Sequence, residues 1–161
     1  MCKTMLLLAV LVSAGSLYGA DPIIGTWKLN VAKSKSPSQP MTLKELTEIY
    51  REIKPDKMEL TRRGIGADGS PFFEKYIYPH QGGIVDLIGL SGEDISSNRD
   101  AGIIGIFVAP SEWYTVFLKS GTQYMLIHKS ISKDGKTMRQ TVRIIDEKGK
   151  PVEGLSFFDK E

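Results

Sequence analysis

The sequence predicts an all-β protein whose single antiparallel sheet closes on itself. Residues 113–161 read as four consecutive strands, and three dipeptides mark the turns between them: Ser120-Gly121, Asp134-Gly135 and Lys148-Gly149. Turns this short leave no room for crossover helices, so each strand must pair antiparallel with the one before it. Glycines interrupt the apolar runs 84–90 and 103–108, which is typical of the bends that a small closed barrel needs. We expect the earlier chain to continue the sheet and close it.

The first residues have the layout of a secretory signal peptide. Met1 to Ala20 contain one cation, Lys3, and an apolar run from Met5 to Val12 that small residues follow. The run is too short to span a bilayer. We therefore expect a signal peptide over 1–20, no membrane span, and one domain over 21–161 that is exported to the periplasm or the medium.

Composition argues against several classes of partner. The chain has 21 Lys and Arg against 19 Asp and Glu. No basic stripe stands out, so nucleic acid and anionic membrane surfaces are not expected as partners. The single cysteine, Cys2, leaves with the signal peptide. An exported chain without cysteine must be stable without disulfides, which indicates a full apolar core.

The first predicted strand spans residues 23–31. Gly25, Trp27 and Leu29 alternate with polar residues, so the strand is half-buried with a tryptophan inside. The stretch 32–40 carries two prolines and three serines, which predicts a surface connection.

Residues 42–53 allow two interpretations. Thr42 with Glu45 resembles a capping box, and apolar residues recur at helical spacing, so one short helix near 41–53 is the first. The second is a strand from about Thr47 that turns at 54–57 into the next strand. We favour the strand.

Residues 64–69 match the G-x-G-x-x-G spacing of a dinucleotide-binding loop. That loop requires a helix directly after it, because the helix amino terminus receives the pyrophosphate. Residues 71–78 have the pattern of a strand instead. The sequence therefore predicts a hairpin turn at 67–69 and no cofactor.

No catalytic or metal-ligating set is evident. His80 lies at a predicted turn and His128 in a strand, and neither has a ligand partner at metal-binding spacing. Glu93 and Asp94 are adjacent carboxylates in the polar loop 91–100, where solvated charge is usual. We expect no enzyme activity, no catalytic residue and no metal site.

Gly25-Thr26-Trp27 resembles the G-x-W signature of the lipocalin and fatty-acid-binding barrels. Three further segments look like those of a largely uncharacterised group of secreted bacterial lipocalin-like proteins: 79–83, 112–114 and 132–141. The resemblance implies one lipocalin-like barrel of roughly eight to ten strands. It also implies that Trp27 closes one end of the barrel, with Lys160 of the last strand packed on it where lipocalins usually have arginine.

Four tyrosines are the candidates for an amphipathic ligand pocket: Tyr50, Tyr76, Tyr114 and Tyr124. A phenol packs against hydrocarbon and still offers a hydrogen bond, although the same residues could simply fill the core. Strands 113–119 and 122–131 carry apolar residues on both faces, so the outer face is covered either by segment 32–45 or by a second chain in a homodimer. Two functions stay open: an exported carrier of a small hydrophobic or amphipathic molecule, and a filled barrel that acts as an envelope interaction module.

Overall fold

The computed structural model describes residues 21–35, 43–90, 101–146 and 148–161. These residues form eleven strands and no helix, hence no helix long and apolar enough to cross a membrane. The predicted signal peptide, the loop 91–100 and most of the connection 32–40 lie outside the described residues. The strands are β1 (Gly25–Leu29), β2 (Leu43–Lys54), β3 (Lys57–Gly66), β4 (Pro71–Pro79), β5 (Gly83–Ile84), β6 (Asp86–Leu90), β7 (Ala101–Ala109), β8 (Glu112–Lys119), β9 (Thr122–Ile131), β10 (Thr137–Ile145) and β11 (Pro151–Lys160).

All eleven strands belong to one antiparallel sheet that forms a nearly closed barrel. The strand order is β5-β7-β8-β9-β10-β11-β1-β2-β3-β4-β6, so the first and last strands of the chain are neighbours. Only Val85 separates β5 from β6, and these two segments pair with different neighbours, β7 and β4 respectively. The predicted all-β antiparallel barrel is confirmed. Its count of eleven is one above the expected range because the kink at Val85 divides one strand in two.

The contested stretch 42–53 is a strand from Leu43 onward. Strand β2 pairs with β3 along its length, from Leu43 opposite Gly66 to Lys54 opposite Lys57. The helix alternative is wrong, because pairing with two neighbouring strands outweighs the local capping signal.

Residues 67–69 lie in a hairpin turn, as predicted. Strand β3 ends at Gly66, whose amide donates to the carbonyl of Ser70 at 2.8 Å, and β4 begins directly afterwards. Gly69 has a φ of +89°, a left-handed conformation that glycine adopts without steric cost. A strand therefore follows the glycines where a dinucleotide site would need a helix.

The two ends of the barrel differ in burial. We call the end with the β2–β3 and β9–β10 turns the closed end, and the end with the β3–β4 and β8–β9 turns the open end. Along β4 the exposed fraction of inward side chains rises toward the open end, from 4% at Tyr78 and 5% at Tyr76 to 22% at Glu74. The closed end is filled by apolar side chains that are essentially inaccessible: Ile23, Trp27, Met58, Trp113, Met138 and Phe158.

Candidate functional site

Trp27 seals the closed end. Its side chain is fully buried, and its indole Nε1 donates to the carbonyl of Ile23 at 2.7 Å. The Lys160 ammonium lies 5.1 Å from the Trp27 ring centroid and donates to the carbonyl of Pro22 at 2.8 Å. The tryptophan and the cation that the resemblance paired are thus in contact, and the segment before β1 folds beneath them.

Charged side chains meet inside the barrel, where β2, β3 and β4 lie side by side. The strand register places Arg62 opposite both Glu48 and Glu74. The Arg62 guanidinium donates from Nε to Glu48 at 3.0 Å and from Nη1 to Glu74. Glu48 is fully buried, so a carboxylate is held in the interior by a guanidinium from the next strand.

Lys129 completes this network from the opposite wall. Its ammonium donates to Glu48 at 2.5 Å and to the Tyr50 hydroxyl at 2.6 Å, although β9 and β2 are not neighbours in the sheet. The same ammonium lies 5.3 Å from the Tyr50 ring centroid and 6.0 Å from that of Trp113. We call Glu48, Arg62, Glu74 and Lys129 the interior charge network.

Burial and charge pairing shift the pKa values of Lys129, Glu48 and the neighbouring Tyr50. Burial lowers the pKa of Lys129 to about 8, against the opposing attraction of Glu48. Burial favours the protonated form of Glu48, but Lys129 and Arg62 outweigh it and hold the pKa of that carboxyl below its ordinary value. Burial, reinforced by Glu48, raises the pKa of Tyr50 well above its ordinary value. At neutral pH the carboxyl of Glu48 is therefore ionised and the phenol of Tyr50 is neutral.

Tyr124 reaches the interior through a β-bulge. The β8–β9 register shifts between Phe117 and Leu118, so Tyr124 lies opposite no residue of β8. Its ring packs edge-on at 6.3 Å from the ring of Phe117, an inward-facing residue. Burial and the nearby Glu74 raise the pKa of Tyr124. This tyrosine is 36% exposed, so it stands where the interior meets solvent at the open end.

The structure places three of the four candidate tyrosines toward the interior and the fourth on the outer face. Tyr50, Tyr76 and Tyr124 surround the interior charge network. Tyr114 lies on the outer face, because its neighbours Trp113 and Thr115 are the ones that point inward. Outside, Tyr114 stacks on His128 with ring centroids 4.4 Å apart, and it contributes nothing to a pocket inside the barrel.

The interior charge network is not predicted from the sequence, although the alternation of residues along β2 and β9 contains a signal for it. Charged residues are normally assigned to the solvent face of a strand. Glu48, however, has the same strand parity as Leu46 and Tyr50, and Lys129 has that of Ile127 and Ile131. A charge that alternates in step with apolar residues indicates a buried, paired group.

The outer wall near the closed end carries exposed apolar residues. Ile84 is 77% exposed, Val108 61% and Ile106 47%. A cleft of about 300 Å³ lies beside them, between Asp21, His80 and residues 107–110. A second groove, of about 540 Å³, runs along the outside of β1 and the amino-terminal part of β2. Both concavities lie outside the barrel.

The described part of the chain also contains groups outside the interior charge network that could bind a metal or titrate. No group of three or more His, Cys, Asp or Glu residues converges there as a metal site would require. His128 Nε2 lies 2.9 Å from Glu112 Oε1 on the outer face, a pairing between strands that residue spacing alone does not reveal.

A solved structure shares this architecture. The crystal structure of wild-type fluorescent protein UnaG aligns with 89% of this chain and 100% of its own, with a TM-score of 0.56 and 12% identity. The fold is a calycin-like barrel. The structure of EF1p2_mFAP2b bound to DFHBI aligns with 88% of this chain and 96% of its own, at a TM-score of 0.47 and 11% identity. No protein-family model and no curated protein sequence matches the chain. Likeness at this level of identity shows the fold alone.

Proposed function

We propose that this protein is an exported, non-catalytic carrier of a small hydrophobic or amphipathic molecule, which it holds in the open half of its barrel. The observation that carries the proposal is the access of water to inward-facing groups. Arg62 and Glu74 face the interior, yet their side chains remain 16% and 22% exposed, whereas the closed-end residues Trp27, Met58, Met138 and Phe158 are 0% exposed. Water that reaches these groups occupies space that a ligand can take.

The open half has the composition of an amphipathic pocket. Phe72, Phe117 and Met125 supply apolar surface, while Tyr124 and Glu74 supply polar atoms at the same level. Binding sites for small molecules combine such apolar walls with a few polar groups that fix orientation. The layout of residues 1–20 supports export, and the barrel needs no disulfide to hold its core together.

A second function, an envelope interaction module, has its own support. Ile84, Ile106 and Val108 leave an apolar area on the outer wall that an interior ligand does not use. Exposed apolar patches of this kind often mark protein contacts. A carrier and a module differ in where the partner binds: inside the barrel at the open end, or outside on β5 and β7.

Native mass spectrometry of protein purified from its own periplasm or medium tests the carrier, because a co-purified ligand adds mass to the chain. Titration with the neutral fluorescent probe N-phenyl-1-naphthylamine follows. We expect saturable binding that Tyr124→Ala weakens and that Tyr114→Ala, the matched outer-face control, leaves unchanged. No added mass and no saturable probe signal, together with a homodimer, would instead favour the module.

A further inference from the structure

The interior charge network is balanced. Arg62 and Lys129 contribute two positive charges, and Glu48 and Glu74 contribute two negative ones, so the four side chains sum to zero. Each cation already donates to a carboxylate, Arg62 to both and Lys129 to Glu48. No cation of the network is left over to neutralise an incoming anion.

Glu74 is the member of the network closest to the proposed ligand space in the open half. Glu74 is the most exposed of the four at 22%, against 16% for Arg62, 4% for Lys129 and 0% for Glu48, and Arg62 is already held by two carboxylates. Glu74 also acts on the tyrosine at the mouth, since it adds to burial in raising the pKa of Tyr124. The charge that a bound molecule meets first is therefore a carboxylate flanked by phenols and phenyl rings.

The geometry points to a ligand with an apolar body and a hydrogen-bond-donating head, an amine above all and an alcohol next, that donates to Glu74; a carboxylate head binds more weakly. This inference rests on the proposed carrier function and narrows its ligand class. An ammonium gains charge-assisted hydrogen bonding to Glu74 and lies among aromatic rings that favour a cation. A carboxylate would stand beside like charge in a partly desolvated site, which is costly.

Competition among three ligands of equal chain length tests the selectivity. The protein is loaded with N-phenyl-1-naphthylamine at pH 7, and decylamine, decanol and decanoate are titrated separately below their micelle concentrations. We expect decylamine to displace the probe at about tenfold lower concentration than decanoate, a difference of about 1.4 kcal/mol, with decanol between them.

Glu74→Gln should reverse that order. The substitution keeps the shape of the side chain but leaves Arg62 with one carboxylate instead of two, so decanoate should gain about tenfold and decylamine should weaken. Glu59→Gln is the matched control, because Glu59 pairs with Lys75 at 3.1 Å on the outer face of the same two strands. It makes the same change in net charge and should leave the order unaltered.

The outcomes separate the two claims. Saturable probe binding with decanoate as effective as decylamine would overturn the selectivity and leave the carrier standing. The same reversal in Glu59→Gln as in Glu74→Gln would also overturn it, since net charge alone would then explain the preference. Absence of saturable probe binding would overturn the carrier and, with it, the selectivity that depends on it.

Discussion

The two halves of this barrel interior are built from different chemistry. At the closed end, Trp27, Met138 and Phe158 are fully buried and supply a large apolar surface. Toward the open end, Arg62 and Glu74 remain partly exposed, and their charged hydrogen bonds link β3 to β4 and, through the buried Glu48, to β2. One half excludes water by close packing, and the other retains partial contact with it.

Because the two halves differ, the closed end should determine the stability of the fold and the open half should determine ligand selectivity. Apolar burial stabilises the fold without regard to what is bound, at about 25 cal/mol for each Å² removed from water. A buried ion pair roughly offsets its own desolvation, so the interior charge network adds little net stability while fixing where charge stands. We expect substitutions at the closed end to change unfolding and substitutions at Glu74 to change ligand preference.

Trp27→Ala should have the largest effect. Truncation of a fully buried large aromatic leaves a cavity and removes the hydrogen bond to Ile23, so the free energy of unfolding should fall by about 3–5 kcal/mol. Urea denaturation monitored by circular dichroism measures it. An unchanged unfolding midpoint would show that the closed end does not hold the barrel together.

Glu48→Leu should come next, at about 3 kcal/mol. The substitution leaves Lys129 buried without its carboxylate, and breaking one side of a buried pair is strongly destabilising. The double variant Glu48→Leu/Lys129→Met, which removes both charges, should recover most of that loss in the same assay. If the double variant is no more stable than the single one, charge pairing is not the cause.

Stability should also depend on alkaline pH. The pKa of Lys129 falls from 10.5 to about 8 on folding, so between these values the unfolded chain holds a proton that the folded protein has released. The free energy of unfolding should therefore rise between pH 8 and pH 10, by on the order of 2 kcal/mol. Burial raises the pKa of Tyr78 to about 12, so above pH 10 the unfolded chain loses its phenolic proton first and stability should fall again.

Urea titrations at pH 7.5, 9 and 10 in parent and Lys129→Met protein measure this dependence. The variant should lack the rise, since it has no amine to titrate at this position. A rise of equal size in both proteins would assign the effect to another group.

Lys160→Met should have the smallest effect. It keeps most of the aliphatic stem over Trp27 and removes only the cation and its bond to Pro22, so the loss should be about 0.5–2 kcal/mol. Thermal melts of Lys160→Met beside Trp27→Ala give the ratio directly. Equal losses would mean that the cation, not the ring, closes the barrel.

The fold could be predicted from the sequence because hairpin turns and the alternation of inward and outward side chains along a strand are local sequence signals. Gly121, Gly135 and Gly149 each have positive φ at the expected hairpins, and the alternation around Trp27 gave its inward face. The interior charge network could not be predicted from local signals. Glu48 meets Lys129 across the barrel, between strands that are not neighbours, and no residue spacing encodes that distance.

Tyr114 and Tyr124 show the same limit in one hairpin. Strict alternation of faces along β8 and β9 cannot anticipate the extra residue at the Phe117–Leu118 shift, which decides that Tyr124 turns inward. A bulge is a property of how two strands pair, so the sequence of one strand does not contain it.

The kink at Val85 also determines where the barrel wall can open locally. Among the described residues no ladder joins β6 to β7, and this part of the wall is joined to β7 by the two-residue β5–β7 ladder and by the Val85 amide, which donates to the carbonyl of Ile103 at 2.8 Å. Local opening of the barrel there breaks few backbone hydrogen bonds, whereas opening between any other two neighbouring strands breaks a longer ladder of them. Hydrogen exchange should therefore be fastest along this seam, since its amides reach solvent through small openings rather than through unfolding.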